Sequence, residues 1–304
     1  MIMRALATAA VVAFFANPAN AGSELTFTAR SVNIAELPSA VFERQPDGEA
    51  PDDWLETRPA LVLDGGALII GRPGAAPDVT LHLSRLELRN GAKIVTNGAI
   101  LEVDAHRILS QRGQIVSFES PDMDTMAAAP GITGRAGNAG GRVILNGKLV
   151  DNGVLKIDLF GQNGQAGGVG RAGPAGAPGS PGSNAADHLF DCAHGGGAGG
   201  PGQPGKDGEQ GARGGRGGNG GILVLKGRIA AQVDQVDFAA LEGAGGEGGA
   251  GGPGGPGGPG GQGGHGSTYC GGGPNGPSGP AGNFGPRGPN GESGTRGQLV
   301  ANVG

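Results

Sequence analysis

The chain has 304 residues, 69 of them glycine, a formal net charge of -5 and only 4% aromatic residues. Charges of both signs are scattered and form no basic patch, so a nucleic-acid partner is not expected. Aliphatic residues concentrate only around 61–160 and 222–241, which confines any conventional core to those stretches.

The first 21 residues read as a secretory signal peptide. Arg4 gives a positive start, 5–16 is a short apolar stretch, and Ala19-Asn20-Ala21 is a small-residue cleavage site. No later stretch is apolar enough to span a bilayer. The expected location is therefore secreted, periplasmic or cell-surface. Two cysteines in an exported chain favour one disulfide.

Residues 22–160 read as a strand-rich body. Leu25-Thr-Phe27-Thr-Ala29 alternates at period two. A Pro-, Asp- and Glu-rich segment follows, with the single tryptophan, Trp54, as a cap over a core edge. Short strands are predicted at Leu61–Leu63, Leu81–Leu83, Leu86–Leu88, Ile100–Val103 and Ile115–Phe118, with turns at Asn90-Gly91 and Asn97-Gly98. Glu102, Asp104 and His106 share one strand face. Such a row could serve a carbohydrate-active enzyme, but it reads better as a solvated outer face, because Leu101, Val103 and Ala105 supply the buried side.

Glycine then recurs every third position in five runs. A short run covers Gly131–Gly140. Four long runs cover 161–182, 196–220, 245–266 and 273–297, with eight, nine, eight and nine glycines in phase. Strand pairs follow Gly141 and Gly221, and a strand fragment follows Gly297. A lone pair of this size cannot bury its apolar face, whereas stacked copies can.

A three-residue period fits the polyproline II conformation, which rises near 3.1 Å per residue. The long runs would then reach about 65–75 Å. Their matched lengths predict two excursions that leave the strand stack and return. Gly-Gly-X stretches mark 245–266 and the basal part of 196–220 as inner arms. The expected fold class is all-β: a β-solenoid-like body of stacked short strands with an inserted antiparallel polyglycine II helix bundle over 161–304, interrupted by strands at 222–241 and closed by a strand at 298–303. A trimeric collagen-like filament is the competing architecture.

These interrupted Gly-X-Y and Gly-Gly-X stretches resemble the polyglycine II bundle proteins in repeat style. That group includes the glycine-rich tip adhesins of T-even-like phages and the antifreeze protein of snow fleas. The resemblance covers roughly half of the chain and implies a bundle; no side-chain motif aligns, so it carries no functional residues.

Cys192 and Cys270 fall in the two distal turns. If the excursions lie side by side these positions meet, and a Cys192–Cys270 disulfide clamps the tip. A metal site drawing on Cys192, Cys270, His188, His194 and His265 is the alternative. The same turns gather His188, Leu189, Phe190, Asp191, His194 and Tyr269. They offer a binding tip, or else Leu189, Phe190 and Tyr269 make a small apolar plug over the disulfide. Gly200-x4-Gly205-Lys206 imitates a phosphate loop, but Asp207 stands where Ser or Thr is required.

The expected function is that of an exported, non-enzymatic structural or adhesive protein of bacterial type. It would present its tip to a surface glycan or protein, with no cofactor and no metal, as a monomer or, in the collagen-like case, a trimer. Ice binding and carbohydrate-active catalysis are the other readings.

Overall fold

The structure is a computed structural model that describes residues 23–48, 50–122, 126–150 and 153–302. The signal-peptide reading of 1–21 lies outside the described residues.

Successive strands alternate between two sheets. They are β1 (Glu24–Thr28), β2 (Ser31–Asn33), β3 (Ala60–Asp64), β4 (Ala67–Ile69), β5 (Val79–Arg89), β6 (Lys93–Val95), β7 (Ile100–Ser110), β8 (Gln114–Val116), β9 (Arg142–Asn146) and β10 (Leu155–Asp158). A separate hairpin, β11 (Ala186–His188) and β12 (Asp191–His194), precedes β13 (Ile222–Lys226), β14 (Val236–Ala239) and β15 (Gln298–Asn302). One sheet has seven strands in the order β1-β3-β5-β7-β9-β13-β15, and the other six in the order β14-β10-β8-β6-β4-β2. Every pairing within both sheets is parallel.

Alternation of side chains explains the core. Leu81 and Leu83 of β5, Leu101 and Val103 of β7, Val143 and Leu145 of β9, and Leu223 and Leu225 of β13 point inward and are buried. They meet Leu68, Ile94, Ile115 and Ile157 from the second sheet. Asn90-Gly91 and Asn97-Gly98 turn the chain from sheet to sheet, all four residues at positive φ. The stretches read as separate strands at Leu81–Leu83 and Leu86–Leu88 are one strand, β5. Its alternation slips where Ser84 and Arg85 are both half-buried.

Trp54 sits on α1 (Pro51–Glu56), the one α-helix among the described residues, and is buried. Pro51 opens this helix, where a missing N–H costs nothing. The indole meets the His82 ring edge-on at 4.9 Å, and the Arg58 guanidinium lies 4.8 Å from its centroid.

The expected fold class is corrected by this architecture. The organising elements are two large parallel sheets, and the glycine segments are not arranged as an antiparallel helix bundle. They carry neither helix nor strand, and their lateral hydrogen bonds run in both senses. Segment 161–182 runs antiparallel to 196–220 (Gly200 N to Ser180 O, 2.7 Å) but parallel to 245–266 (Gly176 N to Pro256 O, 2.9 Å). Segments 196–220 and 273–297 are likewise parallel (Gly202 N to Pro277 O, 2.9 Å). The short run at 131–140 joins this array through Gly137 N to Arg216 O at 2.8 Å. The physical reason lies in the strands. Parallel stacking starts every coil at the same side, so equivalent segments of successive coils leave in the same direction and lie side by side.

Proline suits this array. Pro253 and Pro256 have no N–H to satisfy, while their carbonyls accept from Gly173 and Gly176 at 2.9 Å.

Candidate functional site

The far turns of the glycine segments meet in space. Hairpin β11–β12 pairs Asp187 with Cys192 and His188 with Asp191, leaving Leu189 and Phe190 as the turn. Cys192 and Cys270 form a disulfide with a Cα–Cα distance of 5.0 Å across 78 residues of sequence. The metal alternative is thereby corrected, because neither thiol is free to act as a ligand.

Asp187 organises the second turn. Its carboxylate accepts from the Ser267 hydroxyl, from Thr268 N at 3.1 Å and from Tyr269 N at 3.2 Å. Ser267 Oγ accepts from Cys270 N at 3.2 Å, and Ser267 N donates to Cys270 O at 2.9 Å. Ala185 N donates to His265 O at 2.9 Å, and Asn184 Oδ1 accepts from His265 N at 3.0 Å. Backbone groups of both turns are therefore held by the pair of loops itself.

The apolar residues of the tip point away from this frame. Leu189 is 88% exposed and Phe190 82%, whereas Cys270 is buried. The plug reading is overturned for these two side chains, since neither covers the disulfide. Tyr269 is half exposed, and His188, Asp191 and His194 are exposed as well.

Other residues singled out in the sequence do not join this site. Glu102, Asp104 and His106 are not a solvated face. Their side chains are 28%, 22% and 16% exposed, and each has its own partner. Lys226 Nζ donates to Glu102 Oε1 at 2.7 Å; Asp104 Oδ2 lies 3.3 Å from His82 Nδ1; His106 Nε2 lies 3.3 Å from Glu56 Oε1. The three residues thus engage three different partners and do not act on one shared group. The amides of the phosphate-loop imitation are also occupied: Gly200 N donates to Ser180 O and Lys206 N to Pro174 O. They cannot cradle a phosphate as free donors.

His82 escaped the sequence reading. Its signal was the position between Leu81 and Leu83, which places it on the outer face; the register that sets it opposite Asp104 was not readable.

No family model matches the chain, and neither a curated protein nor a solved structure is significantly similar to it. Among the described residues no helix is long and apolar enough to cross a membrane.

Proposed function

We propose that the protein is an exported, non-enzymatic structural or adhesive protein whose glycine segments hold a binding tip away from a sheet-built base. The observation that carries this reading is the adjacent pair Leu189 and Phe190, almost wholly exposed on a disulfide-anchored hairpin. Isolated apolar residues on a surface need no explanation, but two adjacent ones on the turn of a braced loop favour a contact role. Aromatic anchors dominate binding energy in many interfaces. A surface glycan or a protein is the ligand class for such a tip.

The test is the double substitution L189S/F190S. Its thermal unfolding and disulfide content should match the parent, because neither side chain is buried. Binding to arrays of immobilised glycans and extracellular proteins should fall at least about tenfold, the equivalent of one lost anchor contact of about 1.4 kcal/mol. Unchanged binding, or no array partner for the parent protein, would remove the tip from the proposal.

A further inference from the structure

A second feature lies on the seven-stranded sheet and does not depend on the tip. Strand β5 pairs with β7 from Val79 to Leu88, but with β3 only over Arg85–Arg89. The other edge of Val79–Leu83 therefore has no strand beside it. Among the described residues, the backbone hydrogen bonds outside the strand ladders include none to Val79–Leu83, so β7 is the ladder partner of this stretch. Residues of the segment 34–45 and of Asp78–His82 line an open groove of about 680 Å³ beside it.

The groove has a mixed lining. Ile34, Leu37 and Phe42 form one wall. Asp78, Glu102 and Asp104 supply three carboxylates, against Arg44 within the lining and Lys226 at Glu102. The three carboxylates outnumber these two cations.

Backbone donors and acceptors on a strand edge need partners, and an interior edge facing a groove is a template for one more strand. The groove volume falls in the range of roughly 300–1,000 Å³ found for ligand sites. We propose that the groove accepts an extended peptide segment that adds to the open edge of Val79–Leu83 and sets a basic side chain against Asp104. Strand addition of this kind takes affinity from main-chain hydrogen bonds and selectivity from alternate side chains. On the present strand, the alternate outward positions are Thr80 and His82, and the carboxylates of the adjacent strand lie just beyond them. A basic residue on the incoming segment would meet Asp104, whose Oδ2 lies 3.3 Å from His82 Nδ1. A saccharide would use the outer polar row without needing the backbone edge, and so would respond differently to the test.

The test uses the full chain and synthetic heptapeptides of alternating lysine and valine, with binding followed by fluorescence polarisation. One peptide has free amides. Two more are N-methylated at odd or at even residues, which blocks one backbone edge or the other. Strand addition requires the free peptide to bind, one methylated form to lose at least tenfold, and the other to bind nearly as well as the free peptide. D104N should weaken the free peptide several-fold while leaving thermal unfolding close to the parent. Should D104N fail to fold, the methylation contrast still decides. No binding, or equal effects of the two methylation patterns, would overturn the proposal, and competition by a neutral oligosaccharide in place of peptide binding would assign the groove to a saccharide. None of these outcomes bears on Leu189 and Phe190.

Discussion

Gly254→Val is expected to disrupt the glycine segments at a cost of about 4 kcal/mol or more, well beyond an ordinary surface substitution. A Cβ at this position would lie 2.0 Å from Gly282 O and 2.2 Å from Gly282 C. Both contacts are backbone, so no side-chain rotation relieves them. The flanking Gly255 is equally closed in, with a Cβ 2.0 Å from Pro174 O. The chain cannot shift to one side without meeting a different segment on the other. Displacement would also break Gly255 N to Lys206 O and Gly282 N to Gly255 O, at 2.8 and 2.9 Å. Gln203→Ala is the matched control. That side chain is exposed, and its backbone still donates to Ala177 O and accepts from Gly258 N. Thermal unfolding together with amide exchange over 161–297 reads the result. Equal and negligible effects of the two substitutions would show that the segments do not need close backbone approach.

Replacing both Cys192 and Cys270 with serine is expected to cost a comparable amount. The bond closes a loop of 78 residues, for which the chain-entropy account gives about 4.5 kcal/mol. Denaturant unfolding of the parent with and without reductant should reproduce the loss. The same substitution should loosen the tip more than the base, because the sheets are held by parallel pairing and a buried core that the bond does not touch. Faster amide exchange at 186–194, with protection unchanged in β5 and β7, is the expected pattern. Two free thiols in the native parent protein, counted by intact mass after alkylation, would refute the bond itself.

Much of the strand content could be read from alternation. Leu61–Leu63, Ile100–Val103 and the pairs after Gly141 and Gly221 all lie in strands, because one sheet face is buried and a period of two follows from the pleat. The glycine phase was equally plain. What escaped was relation between segments far apart in sequence. Local pattern marks 161–182 as a run but does not say that 245–266 lies beside it in the same direction. That offset comes from the stacking of β9 and β13, where Ile222 sits opposite Arg142. The same blindness to register hid His82 opposite Asp104 and the short reach of β3 along β5. At the tip, the cysteine in each turn was a strong signal, whereas the outward aim of Leu189 and Phe190 was not. Apolar residues beside a disulfide are compatible with covering it or with turning away, and only the two-residue hairpin turn decides.

The way the glycine segments are held has a thermal consequence. Apolar surface exposed on unfolding raises the heat capacity, whereas exposed amide surface lowers it. The sheet stack carries nearly all the buried leucine, isoleucine and valine, while the glycine segments are joined by peptide groups. Unfolding of the whole chain should therefore show a heat-capacity increment per residue below the usual 12–15 cal/mol/K or so, with a correspondingly flatter stability curve. Cooling weakens burial of apolar groups but not the lateral amide bonds to the same degree. In the cold the base would soften before the glycine array does, the reverse of what its sparse side chains suggest.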